Sequence, residues 1–505
     1  MAGARTGLPP WLGQPAVLAG VCATVALVLG SIGIADASLW LDETFTVFDA
    51  RRSLADIFAM RGEAFGGAHH PPGYFLLMKA TLAVCGAAEP CVRAPSVLGN
   101  AALAAVLVLL GSRWFGRLGG ALAGLSWACM PYAIKYAQQA RHYGLLALVA
   151  GLLLWQCARM LEHTGAPPRR RAVGLGLLAS ASLWLHLFAL PLLAALALWC
   201  GGWLWAARRR GEARPLAPWL LAAAVAVLAS LPLLPGLLQV WLTQGGGQLA
   251  SRAGPVENAR ELLVDLASFG LDTPWLAIVA ACAAVPGPWS ARARVGSLVL
   301  LAIAPLSVVL VRNPEHFVTL RYFMPSLVPV TLLWGAGLAT VLTLPQRVLA
   351  RRGPSPRWLG AALGLLLVAY PLFAIGERAL AGLRKQYATA GYEPWRGIAE
   401  AIREHAGPGD VTVAIPYALV RFPFTVYTLP TDVLDADAED FVAQLDARAP
   451  AQVFVVSSHI DRPERVAQRR EALRALARAG YVRGESPGGP RQPAIELLGF
   501  VRRRR

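Results

Sequence analysis

The chain has 505 residues, 56% of them hydrophobic and 15% charged, with a mean hydropathy of +0.49. That leaves too little polar surface to cover a soluble globule, and repeated apolar runs of spanning length make it a polytopic membrane protein. The net charge of +17 is an excess of arginine, with Lys79, Lys135 and Lys385 the only lysines, set in short clusters between apolar runs, which is the pattern of a membrane topology and not of a DNA-binding surface.

In chain order, residues 16 to 35 form the first apolar run, behind a short basic segment with Arg5. Ala35-Asp36-Ala37 resembles a signal-peptidase site, but the run is long enough to span unaided and is read as an uncleaved first helix with its N-terminus in the cytoplasm. It is followed by Trp40-Leu41-Asp42-Glu43-Thr44-Phe45-Thr46. Two adjacent carboxylates just past a helix end sit where water meets lipid, ionised and within reach of a lipid-borne substrate. The next apolar run, from His69-His70-Pro71-Pro72-Gly73-Tyr74 to Ala88, holds Lys79 and is either a span or a helix lying in the interface. Charge decides between them. If the run lies flat, Arg169 to Arg171, Arg208 to Arg210, Arg347, Arg351 and Arg352 all fall in the cytoplasm with Arg113, Arg117, Arg292 and Arg294, as the positive-inside rule requires.

Further spans are then predicted at 92–111, 118–134, 142–160, 172–187, 188–207, 216–240, 271–289, 295–312, 323–345 and 358–377, about 11 with the first, leaving the C-terminus outside. The chain divides at 377: residues 1–377 form a transmembrane domain whose first external loop, 36–91, carries interfacial helices, and 378–505 form an extracytoplasmic accessory domain. In that second part, helices at 394–402, 437–448 and 462–479 alternate with strands at 410–415, 452–457 and 495–501, a small α/β module without a Gly-rich phosphate loop or metal-ligand spacing. Cys85 and Cys91 bracket a short external stretch and leave a local disulfide open, while the other cysteines fall inside apolar runs.

With this topology Asp42, Glu43, His69, His70, Lys79, Arg93, Lys135, Gln138, Gln139, Arg141, His142, His186, Arg312, Glu315, His316, Arg321 and Tyr322 gather on the outer face, which is the working face. Blander readings stand beside this one. Asp42 could cap an interfacial helix, Arg141 could snorkel to headgroups, Lys135 could mark the interface, and His186 could simply pack.

Trp40-Leu41-Asp42-Glu43, His70-Pro71-Pro72-Gly73-Tyr74-Phe75-Leu76-Leu77, Arg93-Ala94-Pro95-Ser96 and Gln139-Ala140-Arg141-His142-Tyr143 resemble, in order and spacing, the motifs of family 39 type glycosyltransferases. This group of the GT-C superfamily includes the protein O-mannosyltransferases and the lipid A aminoarabinose transferases. The likeness covers about the first 160 residues, with a looser echo at Thr319 to Pro325. It implies a GT-C-like membrane fold, a polyprenyl-phosphate sugar donor, inverting transfer outside the cytoplasm of the inner or plasma membrane, and a catalytic Asp in the first external loop.

The acceptor, whether lipid, glycan or protein, stays open. On this reading Asp42 is the general base and Glu43 orients it or a cation. His70, Lys135, Arg141, Tyr143, Arg321 and Tyr74 bind the donor and its departing phosphate. No metal or other cofactor is required, a divalent cation is compatible with the chemistry, and no nucleic acid is involved. A transporter or flippase of lipid-linked sugars, or an envelope polysaccharide polymerase or ligase, remains the alternative class.

Overall fold

The computed structural model describes residues 14–61, 70–163, 165–212, 214–243, 298, 301, 320–352, 357–388, 393–460, 463–485, 487 and 495–503. Elements are numbered over these residues. The predicted spans at 271–289 and 295–312, together with His69, Arg312, Glu315 and His316, lie outside them apart from residues 298 and 301.

Helix α1 is Pro15–Ser31, and the predicted external loop holds α2 (Leu41–Arg51), α3 (Leu54–Phe58) and α4 (Gly73–Cys85). With 13 residues, α4 reaches only ~20 Å along its axis, shorter than the ~30 Å hydrocarbon core of a bilayer. A disulfide joins Cys85 at its end to Cys91 at the start of the next helix.

The spans predicted at 92–111 and 118–134 appear as one helical run, α5 (Glu89–Cys129), broken at Gly116, whose φ of 82° and ψ of 168° no helix contains. The chain folds back there. A Cβ on Gly120 would lie 2.4 Å from the Ser112 amide nitrogen and from the Val108 carbonyl, and Trp127 Nε1 donates to Asn100 Oδ1 at 2.8 Å across the same seam. Two helical arms so close need small residues at their contact, as helices packed in lipid do.

The chain continues through α6 (Pro131–Ala137), α7 (Tyr143–Leu161), α8 (Arg169–Leu185), α9 (Ala189–Arg209), α10 (Ala217–Ser230), α11 (Leu234–Thr243), α12 (Met324–Arg352) and α13 (Arg357–Ala388). Among the described residues five runs are long and apolar enough to cross a membrane: Glu89–Cys129, Tyr143–Leu161, Ala189–Arg209, Ala217–Gln239 and Met324–Ala350. Their core is a continuous cluster running from Ala19 through Leu107, Trp127, Leu153 and Leu196 to Leu332. Helix α13 carries on past residue 377 to Ala388.

The C-terminal module follows as α14 (Trp395–His405), β1 (Val411–Ile415), α15 (Tyr417–Val426), β2 (Asp432–Asp435), α16 (Phe441–Arg448), β3 (Gln452–Ser458), α17 (Pro463–Arg478), β4 (Tyr481–Arg483) and β5 (Ile495–Arg502). The strand order is β2-β1-β3-β5-β4; β1 is parallel to β2 and β3, whereas β5 is antiparallel to β3 and β4. Alternation along the strands splits the core into two. Val411, Val413, Val453 and Val455 meet Phe441, Leu445 and Leu476 of α16 and α17, while Ala414, Phe454 and Val456 meet Trp395, Ile398 and Phe424 of α14 and α15. The helix α15 and the strands β2 and β4 were not foreseen. Pro423 interrupts the α15 pattern, and strands of four and three residues carry too little alternation to read.

Candidate active site

The structure builds its polar centre on α2. Trp40 is the N-cap and its side chain caps nothing, so the amides of the first turn need acceptors from elsewhere. Glu43 supplies one. Its fully buried carboxylate accepts from the Trp40 amide at 3.1 Å and the Ala140 amide at 2.7 Å, and pairs in a fork with Arg93 through Nε at 2.9 Å and Nη2 at 2.7 Å. The same guanidinium donates to the Ile34, Ala37 and Ser38 carbonyls. Both Glu43 oxygens are thus committed to holding three segments together: the end of α1, the start of α2 and the turn before α7. At the other end of α2, Lys79 of α4 donates to the Ala50 and Arg52 carbonyls, where a cation suits a helix C-terminus.

Asp42 is the second residue of α2 and not its cap. Its side chain keeps 15% exposure, and Oδ2 lies 3.5 Å from Arg321 Nη1, itself 22% exposed on the short 3-10 turn before α12. Arg141 approaches from beneath, donating from Nη1 to the Asp42 carbonyl at 3.1 Å and to Thr46 Oγ1 at 3.2 Å, with its guanidinium 5.8 Å from the centre of the Tyr143 ring. The Asp42 carboxylate is therefore partly exposed beside Arg321, with Arg141 held on its backbone carbonyl, while its neighbour Glu43 points into the protein.

Around this core stand Tyr74 and three histidines. A Cβ on Gly73 would strike the Trp184 carbonyl at 2.6 Å, so only glycine lets the start of α4 close against the end of α8. That approach sets the His70 ring 5.8 Å from His186 and 6.0 Å from His142; His142 and His186 stack at 4.4 Å, and Tyr74 lies 6.0 Å from His142. The His186 Nδ1 accepts from the Phe188 amide, and His142 Nε2, buried, has no partner among the described residues. Among the described residues no group of three or more His, Cys, Asp or Glu is arranged to hold a metal ion.

Of the residues singled out in the sequence, Asp42, Arg141 and Arg321 come together directly, and Tyr143, Tyr74 and His70 border them. Lys135 stands further off, its ammonium 5.7 Å from the Tyr136 ring, which in turn packs edge-on against Tyr143 at 5.4 Å. The side chain of Tyr322 lies outside what is described.

Sequence reasoning missed the contribution of the C-terminal module. Glu393 Oε2 accepts from the Leu41 amide at 2.7 Å and from Trp395 Nε1 at 2.7 Å; the Tyr427 hydroxyl accepts from the Leu39 amide at 2.7 Å and donates to Glu89 at 2.8 Å. Burial, with Asp42 and Glu43 nearby, pushes the Glu393 carboxyl above the usual carboxylate range, and burial also raises the Tyr427 phenol. No local pattern could have flagged these residues, because their partners are some 350 positions away.

No family model matches the chain, and no curated protein matches it in sequence. Solved structures do match. ArnT from Cupriavidus metallidurans, in the apo state, is similar at 17% identity over 95% of this chain and 97% of its own, with a TM-score of 0.58. The same protein bound to undecaprenyl phosphate is similar at 18% identity over 98% of both chains, again with a TM-score of 0.58. An oligosaccharyltransferase from Archaeoglobus fulgidus, tethered to an acceptor peptide containing the NVT sequon, is similar at 11% identity over 98% of this chain and 75% of its own, with a TM-score of 0.54. The chain therefore shares its overall fold with these structures over nearly its whole length.

Proposed function

We propose that the protein is an integral-membrane glycosyltransferase that moves one sugar from a polyprenyl-phosphate donor to an extracytoplasmic acceptor. The observation that carries this reading is a partly exposed Asp42 whose carboxylate pairs with Arg321 while Arg141 is bonded to its backbone carbonyl. A neighbour of the same fold is bound to undecaprenyl phosphate, which supports a donor of that class.

In the reaction, Asp42 takes the proton of an acceptor hydroxyl as its oxygen attacks the anomeric carbon from the side opposite the phosphate. The bond from that carbon to the phosphate oxygen breaks, and its electron pair leaves with the lipid phosphate, which gains one negative charge. Base assistance of this kind contributes ~10²–10⁴-fold. Arg321 and Arg141 hold the developing charge, so the incoming phosphate competes with Asp42 for Arg321 and frees the carboxylate for the acceptor. His70, Tyr74 and Tyr143 border the donor, Lys135 lies at its edge, and Glu43 positions the turn without touching substrate. The site and the α/β module face the outside of the inner or plasma membrane.

The test is mass spectrometry of envelope lipids, glycans and proteins from a strain lacking this protein. Loss of one sugar from one molecule, with its polyprenyl-phosphate form accumulating, is the expected outcome; an unchanged set of envelope sugars would overturn the proposal.

A further inference from the structure

The turn that carries Asp42 is held from two sides, and one of the two is the α/β module. Leu41 opens α2, so its amide has no acceptor within the helix, and Trp40 offers none. Glu393 fills that position with a carboxylate, the kind of group a helix N-terminus favours. The Glu393 carbonyl accepts a hydrogen bond from the Ser38 hydroxyl at 2.7 Å, and Arg396 donates to the Ala35 and Asp36 carbonyls and to Glu89. On the next turns of α2, Phe45 and Phe48 close edge-on against Phe422 of α15, at 4.5 and 4.9 Å between ring centres.

We infer that the C-terminal module is a working part of the transferase centre, in which Glu393, backed by Tyr427, is a positioning residue that fixes the first turn of α2 and with it the Asp42 carboxylate. Phe422 gives the two parts an apolar contact beside this. Here a buried acid is placed against the one amide next to the base. Without it the turn keeps the Glu43, Arg141 and Tyr427 contacts but the Leu41 amide loses its acceptor, and Asp42, the next residue, shifts. A displacement of ~1 Å at a reacting group costs on the order of 10²-fold in rate, whereas a charge-held lipid phosphate tolerates it.

The inference rests on Asp42 being the base, and the experiment separates the two. Glu393→Ala, Glu393→Gln and Asp42→Asn are expressed in the strain lacking the protein, and the rate of formation of its envelope product is measured in isolated membranes. Affinity for undecaprenyl phosphate is measured on the purified proteins. Glu393→Ala is expected to lower the rate about tenfold or more while lipid affinity stays within about threefold of wild type. Glu393→Gln restores most of the rate, since one amide oxygen can accept both hydrogen bonds that Oε2 accepts now. If the alanine variant does not accumulate, Glu393→Asp, one methylene shorter, carries the same comparison.

Wild-type rate in the alanine or aspartate variant overturns the inference. So does a loss of rate, lipid affinity and thermal midpoint in equal proportion that glutamine fails to restore, since that marks ordinary structural glue. Activity in Asp42→Asn removes Asp42 as the base, on which the inference rests, whereas an inactive Asp42→Asn beside a fully active Glu393→Ala removes only the role of Glu393.

Discussion

Asp42 and Glu43 are neighbours in sequence and opposites in environment. A helix turns by about 100° per residue, so two adjacent acids cannot share a face. Asp42 keeps partial exposure beside Arg321, and Glu43 enters the protein to meet Arg93. The sequence made the pair visible but gave no means of dividing its roles, because the division depends on Arg93, fifty positions away. Glu43→Ala leaves the Arg93 guanidinium buried without its counter-charge, and removing one partner of such a pair typically costs about 3–5 kcal/mol. The expected outcome is a variant with a markedly lower thermal midpoint in detergent and poor accumulation. A Glu43→Ala protein as stable as wild type but inactive would instead make Glu43 a chemical participant.

At the scale of elements, the apolar runs were legible because length and composition alone decide whether a helix can cross lipid. Charge placement set α4 apart from the spans, and it has 13 residues, fewer than the ~20 a crossing needs. Less legible was how consecutive helices meet. The arms of α5 pack so closely that Gly120 has no room for a side chain against backbone atoms of Val108 and Ser112, and backbone cannot rotate aside. Gly120→Val therefore forces the arms apart and is expected to cost about 1–3 kcal/mol or more, read as a lower thermal midpoint. An unchanged midpoint would contradict the hairpin. In the α/β module the longer alternating strands β1, β3 and β5 declared themselves, whereas β2, β4 and the proline-bearing α15 drew their structure from tertiary neighbours. That α15 is also the element that packs on α2, so the piece least readable from sequence joins the two halves.

For the whole molecule, the membrane bundle brings Arg141 and Arg321 to Asp42, and the α/β module covers the other side of the same helix through Glu393, Tyr427 and Phe422. The motif residues of the first 160 positions were enough to point to the fold. They could not reveal that the last hundred residues touch the same turn, since contacts of that separation leave no local trace. The most direct measurement is on Asp42→Asn, which keeps the shape of the side chain and removes its basicity. Supplied to the strain lacking the protein, this variant is expected to insert, to bind undecaprenyl phosphate as wild type does, and to form none of the sugar-bearing envelope product. Formation of that product at the wild-type rate would contradict the assignment of Asp42 as the base, and with it the mechanism described.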